Sequence, residues 1–228
     1  MKRLLLLILP LFFAGCMETT PPAEPRILVM GDSLMAAHRI SGRAISDSVS
    51  KALNEPVVDR SLVGARMIYH LPLSGAVGFN IASQYRGGAF DWVIANGGGN
   101  DLWLVCGCTG CTRKLDQLIT KDLKSGRIPE LVTKLEGSGG RILWVGYLRS
   151  PGFDTPIESC GEEGDELESR IQKLAAERKS LHYLSLADLV PEGDRSYHGF
   201  DLIHPSLKAS AEIGGLIAEY IRGVDSTR

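Results

Sequence analysis

Short apolar runs alternate with longer stretches of helical periodicity along most of the chain. The runs fall at residues 26–31, 57–63 (VVDRSLV), 91–97 (DWVIANG), 141–148 (RILWVGYL) and 181–186 (LHYLSL). They contain few polar positions, as strands buried on both faces do. The periodicity between them predicts helices at about 34–53, 79–87, 114–137 with an interruption near SGRIP, 162–178 and 206–222. Strand and helix in alternation predict a single-domain α/β fold, a three-layer α/β/α unit over residues 26–224. Right-handed crossovers give its five parallel strands the flavodoxin-like order 2-1-3-4-5.

The first residues stand outside this pattern. Lys2 and Arg3 precede an apolar run from Leu4 to Phe13, and small residues follow up to Cys16. That run is too short to span a bilayer and has the layout of an export signal over residues 1–15. Its ending, FAGC, resembles a bacterial lipobox, which implies cleavage before Cys16 and a lipid on that cysteine. Residues 16–25, with adjacent prolines and small polar side chains, form a short tether. By the same resemblance, Met17 directs the protein away from the inner membrane. The expected location is the bacterial cell envelope, anchored at the outer membrane and facing the periplasm, with the N-terminal lipid as the only membrane contact.

Composition excludes some partners. The 228 residues, 44% of them hydrophobic and 23% charged, supply one sizeable core, and a formal charge of -2 offers no basic surface for nucleic acid. A monomer is expected.

Chemistry enters where apolar runs stop. The first run ends in Gly31-Asp32-Ser33, which places a hydroxyl at the carboxyl edge of the sheet, where α/β proteins bind ligands. By itself Ser33 reads as a helix N-cap. Near the other end, Asp201 and His204 stand three residues apart in GFDLIHPSLKAS. If that stretch makes a helical turn, the carboxylate can orient the imidazole, which in turn can serve as the base a serine nucleophile needs. Pro205 is expected to hold His204 at the mouth of the last helix. The third run ends in NGGGNDLW, where glycines allow close backbone approach and Asn100 offers an amide donor of the kind that stabilises an oxyanion. Gly64, in SLVGARM, can offer a backbone N–H after the second run.

Taken in order, GDSL (31–34), the glycine of SLVGA (64), GGND (98–101) and DLIH (201–204) resemble the four motifs of the SGNH hydrolases, the GDSL-type esterases and lipases. The resemblance spans the mature chain. It implies Ser33 as nucleophile, His204 as general base and acid, and Asp201 as orienter. It also implies an oxyanion hole of Ser33 N–H, Gly64 N–H and the Asn100 side chain, with no metal or other cofactor. The implied activity is hydrolysis of a carboxylic ester or thioester, on a small-molecule, lipid or glycan substrate. Two alternatives share these residues: a catalytically silent scaffold lipoprotein and an O-acyltransferase.

The segment CGCTGC departs from that family pattern. With Cys160 it contributes Cys106, Cys108 and Cys111, four of the five cysteines, and Cys16 is the remaining one. Four cysteines in an exported protein most simply make two disulfides, although three pairings exist and metal or redox chemistry is the competing use. Cys106 with Cys108 is the least favoured pair, and Cys160 is expected to tie the 101–113 loop to the loop after the fourth strand. His38, His70, His182 and His198 are expected to be solvated or locally hydrogen-bonded. Leu102, Trp103 and Tyr147 are expected in the core or along an acyl pocket, and Arg149 is expected as a plain surface residue.

Overall fold

A computed structural model describes residues 24–152 and 155–226. The expected export signal, Cys16 and most of the tether lie outside the described residues. Five strands, β1 (Ile27–Met30), β2 (Val57–Asp59), β3 (Trp92–Ala95), β4 (Arg141–Val145) and β5 (Leu181–Leu184), pair in parallel in the order β2-β1-β3-β4-β5. Ile27 stands beside Val57 on one side and Trp92 on the other, and Trp92 beside Arg141.

Successive side chains of a strand point to opposite faces, so a strand apolar at every position builds two cores. Leu28, Met30, Val93, Ala95, Ile142 and Trp144 pack on one face, and Ile27, Val29, Trp92, Ile94, Leu143 and Val145 on the other. The first face is covered by α6 (Thr112–Leu118), α7 (Arg127–Glu136) and α8 (Gly161–Glu177), through Leu115, Leu131, Leu167 and Ile171. The second is covered by α2 (Ile45–Leu53) and α9 (Leu207–Asp225), through Ile45, Val49, Ile213 and Ile217. Short helical turns α1 (Ser33–Ala36), α3 (Pro72–Ser74), α4 (Ile81–Gln84) and α5 (Gly99–Asp101) lie at the carboxyl edge of the sheet or in the connection after β2.

The single helix expected over 34–53 is two. His38 (φ 62°) and Gly42 (φ 65°) are left-handed, and the intervening turn is held by His38 Nε2, which donates to the Pro205 carbonyl at 2.9 Å. The 114–137 stretch is interrupted as expected near SGRIP, where extended Ile119 and Gly126 separate α6 from α7. A Cβ on Gly126 would lie 2.5 Å from the Leu118 carbonyl oxygen.

Candidate active site

At the end of β1 the chain passes between two amide side chains. Gly31 has φ 148°, and a Cβ there would lie 1.8 Å from Asn96 Oδ1, so only glycine fits. Gly31 N–H donates to Gln84 Oε1 at 2.7 Å, and Gln84 Nε2 donates back to the Gly31 carbonyl at 2.9 Å. Asp32 N–H donates to Asn96 Oδ1 at 3.0 Å. The buried Asp32 carboxylate caps α1 by accepting from Leu34 N–H at 3.0 Å, and it also accepts from Asn96 Nδ2 at 3.0 Å and the Tyr147 hydroxyl at 2.5 Å. Burial pushes the Asp32 carboxyl above the ordinary carboxylate range, against the pull of those three donors. Ser33 is thereby the first residue of α1, where its N–H has no intrahelical acceptor.

The turn after β3 is joined to the same network. Gly99 N–H donates to the Tyr147 oxygen at 3.0 Å, and a Cβ on Gly99 would lie 2.8 Å from the Tyr147 ring. Tyr147 therefore bridges the Ser33 turn and the Asn100 turn. Asn100 Nδ2 donates one hydrogen to the Ala65 carbonyl at 3.0 Å. Asp101, wholly buried, accepts from Met67 N–H and Ile68 N–H, each at 2.9 Å. Burial raises its carboxyl to about 6 despite those donors.

Asp201 and His204 meet without a helix. Leu202 is left-handed (φ 56°), and Asp201 Oδ1 accepts from Ile203 N–H and His204 N–H at 3.1 Å each, while His204 Nδ1 donates to Asp201 Oδ2 at 2.6 Å. Burial acts to raise the Asp201 carboxyl, but the bonds from the His204 ring, His204 N–H and Ile203 N–H outweigh it and hold it below the ordinary value. Pro205 stands directly before the N-cap of the last helix. Ser206 is the N-cap of α9, accepting from Ala209 N–H at 3.2 Å, and Pro205 fixes the turn through the His38 bond.

Ser33, Asn100 and His204 line one cavity of about 280 Å³, and Asp201 joins them through His204. Leu102, Trp103 and Tyr147 line it as well. Gly64, left-handed at φ 77°, is not among the lining residues, although its neighbour Ala65 carries the carbonyl bonded by Asn100. Two expectations are corrected. Arg149 is no plain surface residue: it lines the cavity, donates from both terminal nitrogens to Glu168 at 2.9 Å and pairs with Asp165 at 2.7 Å. His198 is 5% exposed, neither ring nitrogen has a partner among the described residues, and its backbone forms an antiparallel bridge with Pro205. Burial lowers its imidazole below the ordinary value, with Asp201 acting to raise it. Asp32, Asn96 and Gln84, which hold the Ser33 turn, carry no sequence signal of that role beyond their types.

The four cysteines pair as Cys106–Cys111 and Cys108–Cys160. The second bridge joins the segment after α5 to the start of α8, as expected of Cys160, and Cys160 lines the cavity. Among the described residues no group of three or more His, Cys, Asp or Glu is placed to hold a metal ion, and no helix is long and apolar enough to cross a membrane.

An edge-of-sheet serine, a carboxylate-bound histidine and an asparagine around one cavity are the groups that serine hydrolases bring together. The sequence profile of the GDSL-like Lipase/Acylhydrolase family matches residues 29–211. The chain belongs to that family, the SGNH hydrolases, and is a GDSL-type esterase. Solved structures agree in fold. A lipase/acylhydrolase from Enterococcus faecalis is 17% identical with a TM-score of 0.60, over 88% of this chain and 96% of that one. A GDSL-like lipase from Bacteroides thetaiotaomicron is 14% identical with a TM-score of 0.60, over 87% and 88%. A carbohydrate acetylesterase from Sinorhizobium meliloti is 17% identical with a TM-score of 0.55, over 88% and 100%. A search of curated proteins finds no match.

Proposed function

We propose that Ser33 is the nucleophile of a carboxylic ester hydrolase, with His204 as its base and Asp201 as the group that orients His204. The observation that carries this reading is the cavity shared by Ser33, Asn100 and His204, together with the 2.6 Å bond from His204 Nδ1 to Asp201. With Nδ1 committed to Asp201, Nε2 is the nitrogen that takes the Ser33 proton as Oγ attacks the ester carbonyl. Asp201, held ionised, stabilises the imidazolium that results. Charge developing on the carbonyl oxygen is met by Ser33 N–H, by the second Asn100 amide hydrogen and by Gly64 N–H, carried in the turn that Asn100 binds at Ala65. His204 then returns its proton to the departing alcohol, and water activated by the same nitrogen hydrolyses the acyl-enzyme.

Substrates of this kind are small-molecule or glycan esters. The protein acts in the cell envelope, exported by residues 1–15 and anchored by lipid on Cys16. Supporting this, the two disulfides use every other cysteine of the chain and suit an oxidising compartment. The test is hydrolysis of a short p-nitrophenyl ester together with fluorophosphonate labelling. Ser33→Ala is expected to abolish both with the fold intact, and Asn100→Ala to lower kcat by roughly 10²–10³. Undiminished turnover by Ser33→Ala would refute the assignment.

A further inference from the structure

The cavity that holds Ser33 and His204 is also lined by Gly161, Gly164 and Leu167, at three-residue spacing along the start of α8. Residues so spaced share one face of a helix. Neither glycine is imposed by packing, since a Cβ on Gly161 or Gly164 meets no heavy atom within 4 Å. Gly98 differs: its Cβ would lie 2.8 Å from Leu167, so that contact seats α8 against the turn after β3. Glycine in a helix weakens it relative to alanine, so two of them in the first turns of α8 cost stability and leave open space beside the site. The remaining lining there is apolar at Leu102, Trp103, Leu148 and Ile157 and polar at Ser150 and Glu158, where the Ser150 hydroxyl donates to the Glu158 carboxylate, and the Cys108–Cys160 bridge ties this wall to the segment after α5. Among the described residues the one cation on this wall is Arg149, and it is already paired with Glu168 and Asp165 rather than offered to an anionic substrate group.

We propose that this α8 wall is the acyl subsite of the esterase, taking an unbranched apolar acyl chain of medium length, with Gly164 setting its depth. The inference rests on the assignment of Ser33 and His204 above. Direction follows from the fold. His204 precedes α9, which packs on one face of the sheet, whereas α8 packs on the other. The departing alcohol must reach His204 for its proton, so the acyl group points the opposite way, towards α8. Size follows from volume. A cavity of roughly 150 Å³ holds a six-carbon ring, so 280 Å³ holds about eleven carbon-sized atoms, an ester head plus about six to eight acyl carbons.

The test is a series of p-nitrophenyl esters from acetyl to dodecanoyl, with acetylated sugars alongside, on the wild type, Gly164→Leu, Gly164→Ala and Gly215→Leu. Gly215 lies on α9, where a Cβ also meets nothing, and serves as the control for adding a side chain to a helix glycine. In the wild type, kcat/KM is expected to rise about fourfold per methylene up to hexanoyl or octanoyl and then stop rising. A leucine at 164 displaces about three methylenes, so the octanoyl-to-acetyl ratio should fall roughly sixtyfold, with Gly164→Ala giving about fourfold. Gly215→Leu should leave the ratio unchanged. A wild-type optimum at acetyl esters or acetylated sugars overturns the proposal, as does an unaltered ratio in both Gly164 variants with normal thermal melts, and either result leaves the Ser33 assignment standing. No turnover of any ester, with no labelling of Ser33, overturns both.

Discussion

The two disulfides close loops of very different length, which makes their contributions separable. Cys108 and Cys160 are 52 residues apart, Cys106 and Cys111 only 5. If a cross-link acts by restricting the unfolded chain, its effect grows with the logarithm of loop length: about 4 kcal/mol for the long loop and about 2 kcal/mol for the short one. The small loop encloses Cys108, but closing it shortens the long loop by only a few residues, so the values stay nearly independent. Against a typical domain stability of about 5–15 kcal/mol, the long bridge is a large fraction. The perturbation is replacement of each pair by alanines, Cys108→Ala with Cys160→Ala and Cys106→Ala with Cys111→Ala. The assay is thermal and urea unfolding under non-oxidising conditions, with the wild type kept disulfide-intact. For a domain of this size, the long-loop variant should melt roughly 8–16 °C below the wild type and the short-loop variant roughly 4–8 °C below it. A short-loop variant that loses as much as the long-loop variant, or more, would refute the loop-entropy reasoning and place the stabilisation in local packing.

Two further outcomes concern the site and one the N-terminal segment. Tyr147→Phe removes the donor to buried Asp32 and strands Gly99 N–H, so it should cost about 1.5–3 kcal/mol in urea unfolding and lower kcat more than it changes KM, since both the Ser33 and Asn100 turns lose their tie. Asp101 has a folded value of about 6, above its unfolded value of about 3.9, so the native state binds more protons between these pH values. The stability it contributes is full below about pH 3 and lost as pH rises through 6, by about 3 kcal/mol; the wild-type stability minus that of Asp101→Asn should fall by that amount between pH 3 and 7, and a flat difference would sink the claim. Cys16→Ala should move the protein from the membrane fraction to the soluble one, and continued sedimentation with membranes would remove the anchor from the reading.

The sheet was legible because its strands are apolar at consecutive positions, a pattern that only burial on both faces explains, and their alternation with helices restricts the order of strands. The convergence of Ser33, Asn100 and His204 on one cavity was legible for a related reason: each follows a predicted strand or precedes the last helix, and the carboxyl edge of a parallel sheet is one surface. Helix boundaries were less so. The break at His38–Gly42 depends on a bond to Pro205, a contact that a local window does not connect, whereas the break near SGRIP was legible in the sequence.

What the chain alone determined is therefore whatever a backbone period or a motif at a strand end encodes: five parallel strands, the residues at their edge, and four cysteines in excess of Cys16. Tertiary structure alone decided which distant groups touch. It set Tyr147 between Asp32 and Gly99, paired Arg149 with Glu168, buried His198, chose Cys108 for Cys160, and turned Gly161 and Gly164 towards the cavity. Those outcomes depend on packing in three dimensions, where residues far apart in sequence compete for the same few ångströms, and no local pattern of polar and apolar positions records the result.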